Sequence, residues 1–149
     1  MIQKLEHTNV ITAEKIRVIF QASYAIEAAL LKAIDFPPLQ RSLANFLKSE
    51  TNFFGYFQDD KLAAVIEIKS ENNHTHIQSL VVDPEYFRQG IGEKLITFIF
   101  KIFNTSVYSV ETGLANIPAI ALYKKLGFTE SKQWDTNHGV RKIQFIKRI

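Results

Sequence analysis

The stretch His76–Leu95, HIQSLVVDPEYFRQGIGEKL, decides the fold. Its apolar run from Ile77 to Val82 is strand-like, Asp83-Pro84 makes a turn, and Gly90-Ile91-Gly92 opens a segment whose apolar residues recur at helical spacing. A strand that feeds a glycine-containing loop at a helix start is an anion site. The unpaired amides of the first helical turn point the same way, and the helix dipole favours negative charge there. Glycine allows a ligand phosphate to lie against bare backbone, where a Cβ would intervene.

Working upstream, Phe53 to Phe57 and Leu62 to Ile68 are further strand-like runs. With the strand His74 to Val82 they form an antiparallel meander, separated by the polar turns Gln58–Lys61 and Ser70–Asn73. Before the meander, Ile2 to Leu5 reads as a short opening strand. Thr12 reads as the cap of a helix starting at Ala13, with Ile16, Ile19, Phe20, Ser23, Ile26, Leu30 and Ala33 at helical spacing. Asp35-Phe36-Pro37-Pro38 stops that helix, and a second one is expected from Leu39 to Lys48.

Downstream, the helix after the glycines carries Leu95, Phe98, Ile99, Ile102 and Phe103 and ends at Asn104-Thr105. Val107 to Thr112 is the next strand, so the crossover predicts a parallel pair. Asn116 and Pro118 suit the start of a last helix, with Gly127 as its C-terminal glycine. Phe128 to Trp134 and Val140 to Ile146 make a closing hairpin. The expected fold is mixed α/β (α+β): a mainly antiparallel sheet with one parallel crossover.

Composition narrows the classes. A chain of 149 residues, 46% hydrophobic and 22% charged, is globular and of single-domain size (residues 1–149). No apolar run is long enough for a membrane span and no signal-peptide core precedes the fold, so a cytoplasmic protein with no membrane partner is expected. The absence of cysteine excludes thiolate metal sites and a cysteine nucleophile, and no metal is expected. The net charge of +3 is scattered except for Arg141, Lys142, Lys147 and Arg148, with no basic stripe or reading motif, so no nucleic-acid partner is expected.

Two common phosphate loops fail on the residues. A P-loop needs Lys then Ser or Thr after its second glycine, where Glu93 stands. A Rossmann fingerprint needs a small residue where Leu95 stands and parallel strands upstream; Glu111 lies at a suitable distance for its acidic residue, but the rest does not fit.

The pair VDPEYFRQGIGEKL and NIPAIALYKKLGF (Asn116 to Phe128) resembles the GNAT superfamily of acetyl-CoA-dependent N-acetyltransferases. The second motif, Asn, two residues, Ala, two residues, Leu-Tyr and then Gly-Phe, is matched throughout. The first departs at Phe87, where the family has Gln or Arg. The resemblance covers nearly the whole chain. It implies six to seven strands, about four helices and a V-shaped splay between the fourth and fifth strands. It also implies acetyl-CoA as cosubstrate without a metal, and a primary amine of a small molecule or peptide as acceptor. The assembly would be a monomer or homodimer.

The same resemblance assigns residues. The amides of Arg88, Gln89, Gly90, Ile91, Gly92 and Glu93 would hold the pyrophosphate of coenzyme A, and the main chain of Leu80, Val81 and Val82 its pantetheine arm. Asn116 would contact the cofactor, with helix capping as its plain alternative. Tyr123 would protonate the departing thiolate, since a phenol keeps its proton at neutral pH. The position of the family's base falls on His76, whose ordinary pKa of about 6.5 suits the task; Glu67, Glu111 or a water relay are alternatives. Gln78 shares the His76 face under strict alternation and could orient the acceptor. His74, nearer the turn, is expected to face solvent. Tyr24, Glu27, Asp35 and Phe36 lie where the family selects its amine, although Tyr24 and Phe36 suit a core equally well. A non-catalytic acyl-CoA-sensing module is the other functional class that these motifs allow.

Overall fold

A computed structural model describes residues 1–149. Seven strands form one sheet in the order β1-β2-β3-β4-β5-β7-β6. They are β1 (Ile2–Lys4), β2 (Asn52–Gln58), β3 (Lys61–Glu71), β4 (His74–Val82), β5 (Val107–Gly113), β6 (Thr129–Asp135) and β7 (Arg141–Arg148). The helices are α1 (Val10–Leu31), α2 (Leu43–Lys48), α3 (Ile91–Ile102) and α4 (Ile117–Lys125), with 3₁₀ turns at Pro37–Gln40 and Pro84–Tyr86. Only β4 and β5 pair in parallel, as the crossover through α3 requires. No helix is long and apolar enough to cross a membrane.

Two cores sandwich the sheet. On one face α3 buries Ile91, Leu95, Ile96 and Ile99 against Phe54, Ile66, Ile68, Ile77, Val110 and Phe145. On the other, α1 and α2 bury Ala13, Ile16, Phe20 and Phe46 against Phe53, Val65 and Val81. The parallel pair is short. It runs from His74 opposite Val107 to Ile77 opposite Val110, and beyond that β5 continues on β7 while β4 stays with β3. This is the expected splay.

A bulge accompanies the parting. Glu67 pairs with Ser79 and Ile68 with Ile77, so Gln78 is skipped in the ladder. A bulge shifts the alternation of side chains by one place. Ile77, Leu80 and Val82 therefore belong with the α3 core, whereas Ser79 and Val81 turn to the α1–α2 side. Strict alternation therefore fails past Gln78, while His76 and Gln78 line the same cleft as expected.

Two helix boundaries differ from the sequence reading. Asn9, not Thr12, caps α1: its side chain accepts from the Thr12 amide, which places Thr12 inside the first turn. The stretch 39–48 is not one helix. The 3₁₀ turn ends before Arg41, and Ser42 caps α2 by accepting from the Asn45 amide.

Arg41 explains that break. Its guanidinium leaves the helical path to donate to both oxygens of Glu67, at 2.7 and 3.0 Å. Glu67 is fully buried and also accepts from Thr51 at 2.6 Å and Ser79 at 3.0 Å. The Arg41 guanidinium lies 4.2 Å from the centre of the Phe46 ring. A buried, bidentate pair of this kind fixes geometry more surely than it adds net stability, but removing one partner leaves a bare buried charge. We expect Arg41→Ala to destabilise the protein by about 3–5 kcal/mol in urea denaturation, with Arg41→Lys recovering only part because it cannot donate in bidentate fashion.

Candidate active site

The parting of β4 from β5 opens two clefts. One, of about 420 Å³, runs from the loop Phe87–Gly90 and the start of α3 along Leu80 and Val82 to Asn116, Leu122 and Tyr123 of the α4 region. The other, of about 690 Å³, lies on the α1–α2 side and is lined by Tyr24, Phe36, Arg41, His76, Gln78, Glu111, His138 and Lys142 among others. Three residues line both: Glu27, Leu80 and Tyr123.

In the first cleft, Arg88 (φ 63°) and Gly90 (φ 72°) are both left-handed and wind the loop tightly. Gly90 is the N-cap of α3, so the first amides of the helix lack internal partners. A Cβ on Gly92 would meet Leu122 Cδ2 of α4 at 3.4 Å and Leu80 Cδ2 of β4 at 3.6 Å, so both elements lie within van der Waals reach of the loop. Ile91 sends its side chain into the core and leaves only backbone at the helix start. Glu93 is paired with Lys125 at 3.0 Å, which offsets its negative charge in the first turn of α3. Phe87, where the family pattern departs, is 41% exposed and lines this cleft together with Ile26 and Leu30 of α1. Those two α1 residues therefore form cleft wall, not core. The Val81 side chain packs into the α1–α2 core, so this residue can offer a ligand only its backbone.

Local chemistry positions Tyr123. The amide of Phe128 donates to the Tyr123 carbonyl (3.0 Å) and that of Gly127 to the Lys124 carbonyl (3.1 Å), which is a Schellman stop. It requires a left-handed residue at Gly127, whose φ is 93°. The Phe128 ring then packs edge-on against Tyr123 at 5.9 Å. Burial pushes the Tyr123 phenol above its ordinary pKa, helped by the nearby Glu27 and Tyr24, so it stays protonated.

Asn116 caps α4 by accepting from the Ala119 amide, and its Nδ2 donates to Glu27 Oε1 at 2.6 Å. This clasp ties α1 to α4 across the junction of the clefts. Burial raises the Glu27 pKa above the ordinary carboxylate value, with the Asn116 hydrogen bond and Lys142 opposing. Tyr24, half-buried between Phe20 and Phe36, has its phenol raised chiefly by burial and then by Glu27.

In the second cleft, His76 is half-buried and its Nδ1 bonds Ser109 Oγ at 2.7 Å. Burial pushes its pKa down; Glu111 works against this, while His74, Lys142 and Lys69 reinforce it. Glu111 is paired with Lys142 at 3.3 Å. Glu67 is saturated by Arg41, Thr51 and Ser79 and lines neither cleft, which removes it as a base. Asp35 is exposed and lines neither cleft. Phe36 is buried with Leu31 and Val140 and also walls the cleft, so its core and cleft roles coincide. His74 is exposed as expected, but its Nε2 bonds Ser109 Oγ at 2.7 Å.

Residues 15–128 match the Acetyltransferase (GNAT) family. The chain belongs to that family, and so to the acyltransferases. It is 31% identical over 134 residues to the UPF0157 protein YqkA of Bacillus subtilis, which spans 89% of this chain but only 39% of that protein. It is 29% identical over 113 residues, 74% of each chain, to the [ribosomal protein bS18]-alanine N-acetyltransferase of Escherichia coli K12. The crystal structure of the E. coli ribosomal-protein-S18-alanine N-acetyltransferase superposes with a TM-score of 0.79 at 25% identity, covering all of this chain and 93% of that one. PaiA N-acetyltransferase from Thermoplasma acidophilum, solved in complex with coenzyme A, superposes at 0.77 with 20% identity, covering 100% and 99%.

The depressed pKa of His76 carries a stability consequence. In the window from its lowered value up to about pH 6.5, the unfolded chain binds a proton that the folded chain refuses, so stability rises with pH. Above that window the contribution is constant. In urea titrations the stability of His76→Gln relative to wild type should improve as pH falls from about 7 to about 5. A pH-independent difference would show that burial does not oppose the charge.

Proposed function

We propose that residues 1–149 form a single acetyltransferase domain that moves an acetyl group from acetyl-CoA to a primary amine by direct attack in a ternary complex. The reading rests on one observation: the loop cleft and the larger cleft meet at Tyr123, Glu27 and Leu80. A thioester entering from one side and an amine from the other would meet there.

The free amides at the start of α3 and the left-handed loop suit a pyrophosphate. From Gln78 onward β4 has no strand on its β5 side, so its backbone can pair with the amides of a pantetheine arm and polarise the thioester carbonyl. Acetyl-CoA supplies an activated acyl group with a thiol leaving group. The amine must be neutral to attack, and an alkyl amine with pKa about 10.4 is almost wholly charged at neutral pH. His76, neutral and lining the amine side, takes that proton, with Glu111 as the alternative; Gln78, Tyr24, Glu27 and Phe36 shape and orient the acceptor. Tyr123, protonated and buried at the junction, gives its proton to the departing sulfur. The chain has no cysteine for a covalent relay. The protein would work as a monomer or homodimer in the cytoplasm.

Thiol release from acetyl-CoA against a panel of amines tests this. The E. coli relative is named for an alanine of a ribosomal protein, so a peptide with N-terminal alanine belongs in that panel. Coenzyme A should raise the melting temperature. Tyr123→Phe should lower kcat by about a hundredfold or more while keeping that thermal shift. Unchanged turnover in Tyr123→Phe would refute the leaving-group role, and stabilisation by coenzyme A without turnover on any amine would favour a sensor.

A further inference from the structure

Ser109 Oγ is 1% exposed as part of its residue, and it has two partners only: His76 Nδ1 and His74 Nε2, each at 2.7 Å. A hydroxyl carries one hydrogen and two lone pairs. Because a buried hydroxyl hydrogen has to be donated, it points at one imidazole, and the other imidazole donates to the oxygen. Two arrangements satisfy this. In the first, Ser109 donates to His74 Nε2, so His76 carries its hydrogen on Nδ1 and a neutral His76 has its lone pair on Nε2. In the second, Ser109 donates to His76 Nδ1, and a neutral His76 has its hydrogen on Nε2 and no lone pair there.

The two rings differ in position. His76 lines the larger cleft, and its Nε2 has no protein partner; since no buried polar side-chain atom is unpaired, that nitrogen is open to solvent. His74 is exposed and lies outside the cleft lining. The charged neighbours are spoken for. On β3, Lys69 and Glu71 stand opposite His76 and His74 and approach each other at 3.8 Å; Glu111 of β5 pairs with Lys142 of β7. None of them hydrogen-bonds either ring, so the imidazole–hydroxyl–imidazole chain is self-contained.

We infer that His74, acting through the single hydroxyl hydrogen of Ser109, sets the tautomer of His76 and switches its cleft-facing nitrogen out of the base form when His74 gains a proton. A protonated His74 carries hydrogen on both nitrogens. Its Nε2–H donates to Ser109 Oγ, the Ser109 hydrogen turns to His76 Nδ1, and the His76 hydrogen is left on Nε2. Ionising both rings together would leave the Ser109 hydrogen without an acceptor. Burial, which disfavours a charge on His76, keeps that ring in the neutral form for which the tautomer matters. His74 and Ser109 are positioning residues, since neither touches the acceptor. The inference rests on the proposed role of His76 as base.

Imidazole nitrogen NMR of the full chain tests it without turnover. With His74 neutral, His76 in wild type should show a protonated Nδ1 and a free Nε2; hydrogen already on His76 Nε2 in that state would overturn the inference. As pH is lowered, His76 Nε2 should gain hydrogen in step with the uptake of a proton by His74. In Ser109→Ala and in His74→Phe, His76 should no longer follow, and Ser109→Thr, which keeps the hydroxyl, should restore the coupling. The acid limb of kcat/KM should fall with the one proton that the pair takes up in wild type, and should shift in pH in the uncoupled variants. If His76 keeps its Nδ1 hydrogen throughout the His74 titration, or titrates identically in Ser109→Ala, the inference is wrong. Coupled NMR titrations with an unmoved acid limb would support the tautomer control and instead overturn His76 as the base.

Discussion

β4 and β5 hydrogen-bond over four positions, His74–Ile77 against Val107–Val110, and then part. The site depends on that limit. Parallel strands paired to their ends would close the sheet and leave no route from one face to the other. Where they part, Gln78 is bulged out of the β3 ladder, and the β4 backbone beyond it keeps one edge without a strand partner. The bulge also exchanges the faces. Leu80 and Val82 turn towards the α3 side and its loop cleft, while Ser79 turns to Glu67 on the other face.

Holding the strands apart requires something in the gap, and α1 and α4 supply it. Successive rows of α1 serve different clefts: Ser23, Ile26 and Leu30 face the loop side, Tyr24 and Leu31 the larger cleft, and Glu27 both. Glu27 is clasped to Asn116 at the head of α4, and the Gly127 stop at the other end of α4 sets Tyr123. The larger cleft is bounded in turn by Arg41, which the buried Glu67 holds on the sheet, and by His138, whose carbonyl accepts from the Ile34 amide. These contacts make the junction a preorganised place rather than a gap between loose loops.

Charge in the larger cleft is mostly compensated within the protein. Arg41 is matched by Glu67 and Lys142 by Glu111, which leaves Lys48, Glu27 and His76 among the other ionisable groups of the lining, and burial opposes the charged form of the last two. The cleft therefore presents mostly paired charge and several hydrogen-bonding side chains. Such a site selects by shape and hydrogen bonding more than by long-range attraction.

Short-range chemistry was legible in the linear chain. The Gly90 loop at a helix start, the Asn116 cap, the Gly127 stop behind Tyr123 and the crossover that makes β4 and β5 parallel each depend on residues a few places apart, or on element order. Local sequence also misled where tertiary contacts were stronger. Arg41 turned to Glu67 and broke the helix read over 39–48, and the Gln78 bulge overrode strict alternation. What only the folded chain decided were the partnerships between distant residues. Asn116 and Glu27 lie 89 positions apart, and Ser109 lies 33 from His76 and 35 from His74. A sequence can show that a strand carries two histidines. Which hydroxyl comes between them follows from the register of β4 on β5, a property of the pair of strands that neither carries alone.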